Sequence, residues 1–213
     1  MDLSGPHVEG RGYGMAHHGL GYRYFLVAIY QPPPDAEGKA IPAWPYIKWL
    51  RGKMATETLK AIKRIVAEVD ADHVSRAVFR MHSDRGGEFV NEALQAWADD
   101  RGIRLTTTEG HGPAGNGQAE SFVGKVKQRA RTMISMAGLG TEYWTFAVDH
   151  AALCSRLKAQ GRELPDVPPF GKRVFARINN RPTTTLHLER FGRHSLVWRG
   201  RCKVGRRCST RTG

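Results

Sequence analysis

Two acidic residues stand where a carboxylate can do chemistry. Asp84 lies in the run HSDRGGEF, where an apolar strand pattern stops and a glycine pair begins. A side chain there projects from a rigid edge into a cleft. Glu120 falls in the first turn of a long helix, just behind the glycine-rich stretch EGHGPAGNG (109–117), and 35 residues separate it from Asp84. At about 100° per residue, Glu120, Gly124, Lys127 and Arg131 share one stripe of that helix. Phe122, Val123, Val126, Ala130, Met133, Ile134 and Ala137 share another, which must face the core. The acid stripe is therefore off the core, Gly124 leaves room beside the acid, and two cations continue the line. An acid for a divalent cation, followed by cations for phosphates, suits the breaking of a phosphodiester. The competing reading of Glu120 is a solvated acid stabilised by the helix dipole.

Phosphodiester exchange needs in-line attack by water or a hydroxyl, and two divalent ions about 4 Å apart can activate the attacking oxygen and stabilise the leaving one. Magnesium prefers hard oxygen donors. If Asp84 and Glu120 share such a site, their carboxylates are expected roughly 4 to 8 Å apart. This chemistry needs no Ser/His or Cys/His nucleophile pattern. Of the nine histidines, those in loops, such as His17, His18 and His111, read as solvated.

The elements that must position these acids follow from periodicity. Tyr24–Tyr30 (YFLVAIY) is continuously apolar, as in a strand covered on both faces. Residues 31–45 hold five of the eleven prolines and read as a loop; 46–50 reads as a short edge strand. Residues 54–69 read as a helix with Leu59, Ile62, Val66 and Val69 on one face. A strand follows at 77–83, then a helix at 88–100 with Val90, Ala93, Leu94 and Trp97 inward, and a strand at 103–107. A long helix at 118–137 and another at 141–159 complete the pattern. In the latter, Thr141 is the expected cap, and Trp144, Ala147, Val148, Ala151 and Ala152 face inward. The order predicts an α/β fold, a mixed sheet covered by helices. Loops after strand ends commonly hold the site in such folds.

Of the net charge of +13, +11 lies in residues 171–213, which carry twelve Lys or Arg against the single acid Glu189. The organisation expected is a nearly neutral globule over 1–160, a linker over 161–170, and a basic tail with short strands near 173–178 and 195–199. Such a tail, including Arg173 and Arg177, binds polyanions by releasing their counterions; nucleic acid is the obvious one. The three cysteines, Cys154, Cys202 and Cys208, make no disulfide framework. His187, His194, Cys202 and Cys208 read as solvated tail residues, because the two tail cysteines are spaced too widely for a structural zinc site. No apolar run reaches the roughly 18 residues a membrane span needs, and no signal segment opens the chain.

HSDRGGEF, the 35-residue spacing, and GNGQAES opening a basic helix together resemble the D,D-35-E catalytic core of retroelement integrases. DLSGPH followed by YRYFLVAIY resembles the first-Asp segment of Copia-type elements, and PFGKRVF resembles the segment that lies after the core in those polyproteins. The likeness covers residues 2 to about 178. It implies a ribonuclease H-like fold with a central mixed five-stranded sheet. It implies Asp2, Asp84 and Glu120 as ligands of two Mg2+ (or Mn2+) ions, with Asp2 bridging them. It matches Asn116 and Gly117 to the Asn-Gly before the glutamate, and Lys127 to a DNA-contacting position. The implied activity is 3′-end processing and strand transfer on DNA, by a homo-oligomer acting in the nucleus or in a cytoplasmic element particle. The chain departs from the family at Ser121, where arginine is usual.

Two rival readings share these residues: a nuclease of the same fold, and an inactive or repurposed fragment that only binds DNA. In the family the first Asp lies inside its strand, whereas here only Met1 precedes Asp2. The expectation is therefore a shortened first strand, a frayed chain start, a flexible amine beside Asp2 and a weakened metal site.

Overall fold

The computed structural model describes residues 1–12, 21–73, 77–107, 117–161 and Phe170. At its centre is β2 (Tyr24–Tyr30), flanked antiparallel by β1 (Asp2–Ser4) and β3 (Trp44–Leu50). Asp2 pairs with Val27 and Ser4 with Phe25 on one side; Tyr24 pairs with Leu50 and Tyr30 with Trp44 on the other. β2 is apolar throughout because both its faces are covered. Leu26 and Ala28 join a cluster with Ile62, Ile65 and Val66 of helix α1 (Ala55–Asp72). Phe25 and Val27 join a second cluster with Val123 and Val126 of helix α3 (Gly117–Met136) and Ala147 and Ala151 of helix α4 (Trp144–Ala159).

Beyond α1 come β4 (Arg80–Ser83), α2 (Glu92–Asp100) and β5 (Arg104–Thr107). β4 and β5 pair in parallel, from Arg80 with Arg104 to Ser83 with Thr107. The described residues thus hold five strands in a mixed α/β arrangement, hydrogen-bonded as a three-stranded and a two-stranded sheet. Met1 joins the two: its amine donates to the His82 carbonyl at 2.6 Å. The chain start expected to fray is tied there instead. A cavity of about 810 Å³ lies between the end of β2 and β4, with Ile62 and Val66 of α1 among its walls.

Element positions agree with the periodicity; α1 runs three residues further than expected, to Asp72, and four other boundaries differ for physical reasons. β3 starts at Trp44, so Pro45, expected in the loop, is a strand residue opposite Ile29. β3 is an edge strand, where a missing N–H is tolerated. β4 starts three residues later than expected, at Arg80, and Phe79 is exposed. α2 starts at Glu92 because the Asn91 side chain accepts from the Leu94 N–H at 2.9 Å, an N-cap. Val90 is consequently outside the helix and exposed. Thr141 is not a cap: Thr141–Tyr143 form a 3-10 turn leading into α4, and no side chain caps that helix. The expected tail strands, the basic tail and most of the linker lie outside the described residues.

Gly5 fixes how β1 ends. Its φ is +146°, and an added Cβ would overlap the Tyr24 ring and stand 2.7 Å from the Arg23 carbonyl. Gly5→Ala is therefore expected to destabilise the chain by about 1–3 kcal/mol, read as a lowered denaturation midpoint. A neutral result would mean that the turn after β1 relaxes freely.

Candidate active site

Three sequence-predicted acids arrive from three elements. Asp2 opens β1, Asp84 directly follows β4, and Glu120 lies in the first turn of α3. β1 and β4 are brought together by the Met1–His82 hydrogen bond. α3 is pinned beneath β2 by Val123 and Val126, both buried, so its opposite face, with Glu120, Gly124 and Arg131, is exposed. The off-core stripe read from the sequence is thus present in the fold. Lys127, on the same stripe, is half-buried. Asn116, Arg173 and Arg177 lie outside the described residues.

Asp84 Oδ1 accepts the Gly86 N–H at 3.1 Å, so the turn into the glycine pair holds the carboxylate. A Cβ at Gly86 would approach both Asp84 and Glu88, which gives the first glycine of the pair a steric reason. Behind Asp84, His82 Nδ1 shares a 3.0 Å hydrogen bond with Thr106 Oγ1, whose hydroxyl donates to the Met81 carbonyl. These contacts tie β4 to β5 one strand away from Asp2.

Electrostatics shows which acids feel one another. Burial pushes the Asp2 carboxyl above its ordinary value, the Leu3 N–H pulls it down, and the charges of Asp84 and then Glu120 push it up again. The nearby chain amine draws it down last. Burial holds that amine below its usual pKa, opposed by Asp2 and Asp84. Asp2 therefore feels both of the other acids. Among the described residues, however, no three His, Cys, Asp or Glu side chains are gathered closely enough to hold a metal ion. The donor chemistry does fit a hard divalent cation: three carboxylates, two of which disfavour ionisation of the third, are relieved by a positive ion.

One neighbouring residue escaped the sequence reasoning. His7, at the turn after β1, stacks on Phe25 with ring centroids 5.4 Å apart and tilts against Trp144 at 5.0 Å. Its Nε2 shares a 3.2 Å hydrogen bond with Ser4 Oγ. The only signal was its place in DLSGPH, and spacing alone gave it no role.

No family model matches the chain. Over 192 residues, 90% of its length, the chain is 27% identical to the retrovirus-related Pol polyprotein from transposon TNT 1-94 of Nicotiana tabacum. It spans 12% of that relative. Among solved structures it is similar to the catalytic core domain of BIV integrase, with 15% identity, a TM-score of 0.42, and coverage of 72% of this chain and 83% of that one. It is also similar to a chain of a simian T-cell lymphotropic virus intasome in complex with the PP2A regulatory subunit B56 gamma. There the identity is 14%, the TM-score 0.43, and the coverage 69% of this chain and 51% of that one. The polyprotein match agrees with the retroelement integrase resemblance drawn from HSDRGGEF and GNGQAES. No helix among the described residues is long and apolar enough to cross a membrane.

Proposed function

We propose that this chain is the catalytic core of a retrotransposon integrase, of ribonuclease H-like fold, that processes DNA 3′ ends and joins them to target DNA. The observation that supports the reading is that Asp2, on β1, feels the charges of both Asp84, after β4, and Glu120, on α3. Residues 1–160 form the core, 161–170 the linker and 171–213 a DNA-binding tail. The reaction takes place in the nucleus, on element ends and target DNA, by a homo-oligomer of the longer protein.

Asp2, Asp84 and Glu120 would hold two Mg2+ or Mn2+ ions, which supply activation of the attacking oxygen and stabilisation of the leaving one. The residues themselves have separate tasks. Asp84 is oriented by the Gly86 N–H, Asp2 is fixed by the β1–β2 ladder, and Glu120 is presented on an exposed helix face. Lys127 and Arg131 extend that face with positive charge for the strand backbone. Attack by water on the phosphorus frees a 3′-hydroxyl. Attack by that hydroxyl on a target phosphodiester forms the new bond and releases the target's own 3′-hydroxyl. The test is a strand-transfer assay with magnesium: branched product supports the reading, cleavage without joining favours a nuclease, and DNA binding alone favours an inactive fragment. The last reading has an observation of its own, since the acids are not drawn together around a single point.

Tail binding is separately testable. With +11 of the charge in 171–213, deletion of that segment is expected to flatten the slope of log K against log salt by several units, at about 0.9 per phosphate neutralised. An unchanged slope would move the binding surface to Lys127 and Arg131.

A further inference from the structure

We propose that His7, Lys127 and Arg131 form a proton-linked phosphate site that grips one backbone phosphate of the DNA strand beside the three acids. The inference rests on the reading that the chain acts on DNA, and adds to it a third contact residue and a pH dependence. Its frame is a cavity of about 330 Å³ between the turn after β1 and helices α3 and α4, lined by Gly5, Pro6, His7, Lys127, Arg131 and Trp144 among others. At 1.5 Å per residue, Lys127 stands about 10 Å along α3 from Glu120, roughly three nucleotide rises. A strand whose scissile phosphate lies at the acids and that runs along α3 passes this cavity.

The cavity is electrostatically incomplete. Among the described residues the ion pairs are Arg11–Glu142, Lys48–Glu68, Arg101–Asp70 and Arg156–Asp72. Lys127 and Arg131, one turn apart on the same helix, belong to none of them. Two like charges at that spacing repel, and an anion between them removes the repulsion. His7 completes the cavity wall, held by Phe25, Trp144 and the Ser4 hydroxyl. A surface histidine without this support would cost entropy to recruit.

The charges acting on His7 give the site its sign. Burial first, then Lys127 and Arg131, hold the imidazole below its usual pKa, so it is neutral at pH 7. Phe25 from β2, Trp144 and Val148 from α4, and Ser4 from β1 bring no charge to it. A phosphate between the two cations cancels their effect and adds an attractive anion, so His7 takes up a proton as the strand binds. Affinity then rises as pH falls through the bound-state pKa, and the gain is complete below the free-state pKa. Each unit by which binding raises that pKa is worth about tenfold in affinity. A histidine that merely packs would show no such movement.

The experiment follows binding of a short fluorescent single-stranded DNA to the full chain in EDTA, from about pH 8 to about pH 5.5, the range in which histidine titrates. His7→Gln is expected to lose about tenfold of the low-pH gain, so that its affinity depends less on pH than the parent's. An equal pH slope in parent and variant would overturn the proposal. If His7→Gln fails to fold, Lys127→Gln decides. The NMR titration midpoint of His7 should rise in the free Lys127→Gln protein, and DNA should shift it less than in the parent. A midpoint that DNA leaves unmoved in the parent, or that inorganic phosphate at equal concentration moves as much as DNA does, refutes the strand-phosphate assignment. EDTA separates this test from the catalytic reading: loss of strand transfer with the His7 shift intact would sink only the metal chemistry.

Discussion

Glu120→Gln is expected to lower magnesium-dependent strand transfer by about 10²- to 10⁴-fold while leaving the fold in place. Loss of several kcal/mol of transition-state charge stabilisation, at a factor of ten per 1.36 kcal/mol, sets that range. The stability cost is bounded separately. Glu120 is exposed and its favourable interaction with the α3 dipole is worth about 0.3–1 kcal/mol. A surface change of that kind moves the denaturation midpoint by only a few degrees. Asp84→Asn is the matched control, because an amide oxygen keeps the acceptor for the Gly86 N–H while removing the charge. Both variants should also lose any rise in melting temperature that the parent gains from magnesium or manganese, since an ion that binds only the folded state stabilises it by mass action. Strand transfer within threefold of the parent in Glu120→Gln would remove that residue from the chemistry.

Much of this site was legible because its parts are local. Asp84 is marked by a strand running into glycines. Glu120 is marked by a glycine-rich stretch running into a helix whose apolar stripe is elsewhere. β2 was legible to the residue, since a strand covered on both faces must be apolar throughout. Boundaries were lost where a side chain rather than a pattern decides. The Asn91 cap delays the start of α2 to Glu92, and Pro45 is admitted to β3 because that strand is an edge. Asp2 came from resemblance alone, for no periodicity distinguishes an acid that opens a three-residue strand. What no sequence pattern could supply was the long-range geometry: the amine of Met1 reaching His82, and His7 reaching α3 and α4. Both are contacts between segments far apart in the chain, and pairing of that kind leaves no periodic trace.

Trp144→Ala is expected to be the most damaging single truncation to the chain segment that leads away from Asp2. Trp144 is buried, and its ring packs 5.0 Å from His7 and 5.9 Å from Phe25. Its Nε1–H donates to the Val8 carbonyl at 2.8 Å, and the adjacent Thr145 hydroxyl donates to the Arg11 carbonyl at 2.5 Å. Gly10 lies so close that an added Cβ would stand 2.6 Å from Trp144 Nε1. The start of α4 thus clamps residues 7–11 onto the second apolar cluster. Removing a large buried aromatic costs about 3–5 kcal/mol, a substantial share of the roughly 5–15 kcal/mol that holds a domain together. For a chain of this size that is a fall of roughly 6–20 °C in melting temperature. Trp144→Phe keeps most of the packing and gives up the hydrogen bond to Val8, worth about 1 kcal/mol, so it should fall near the parent. The discriminating measurement is amide hydrogen exchange at residues 7–11. In Trp144→Ala these amides should exchange faster than those of β2 under conditions where the rest of the core stays protected. Uniform acceleration across β2 and residues 7–11 would instead mean that Trp144 supports the whole core, with no separate hold on the segment that carries His7 past the acids.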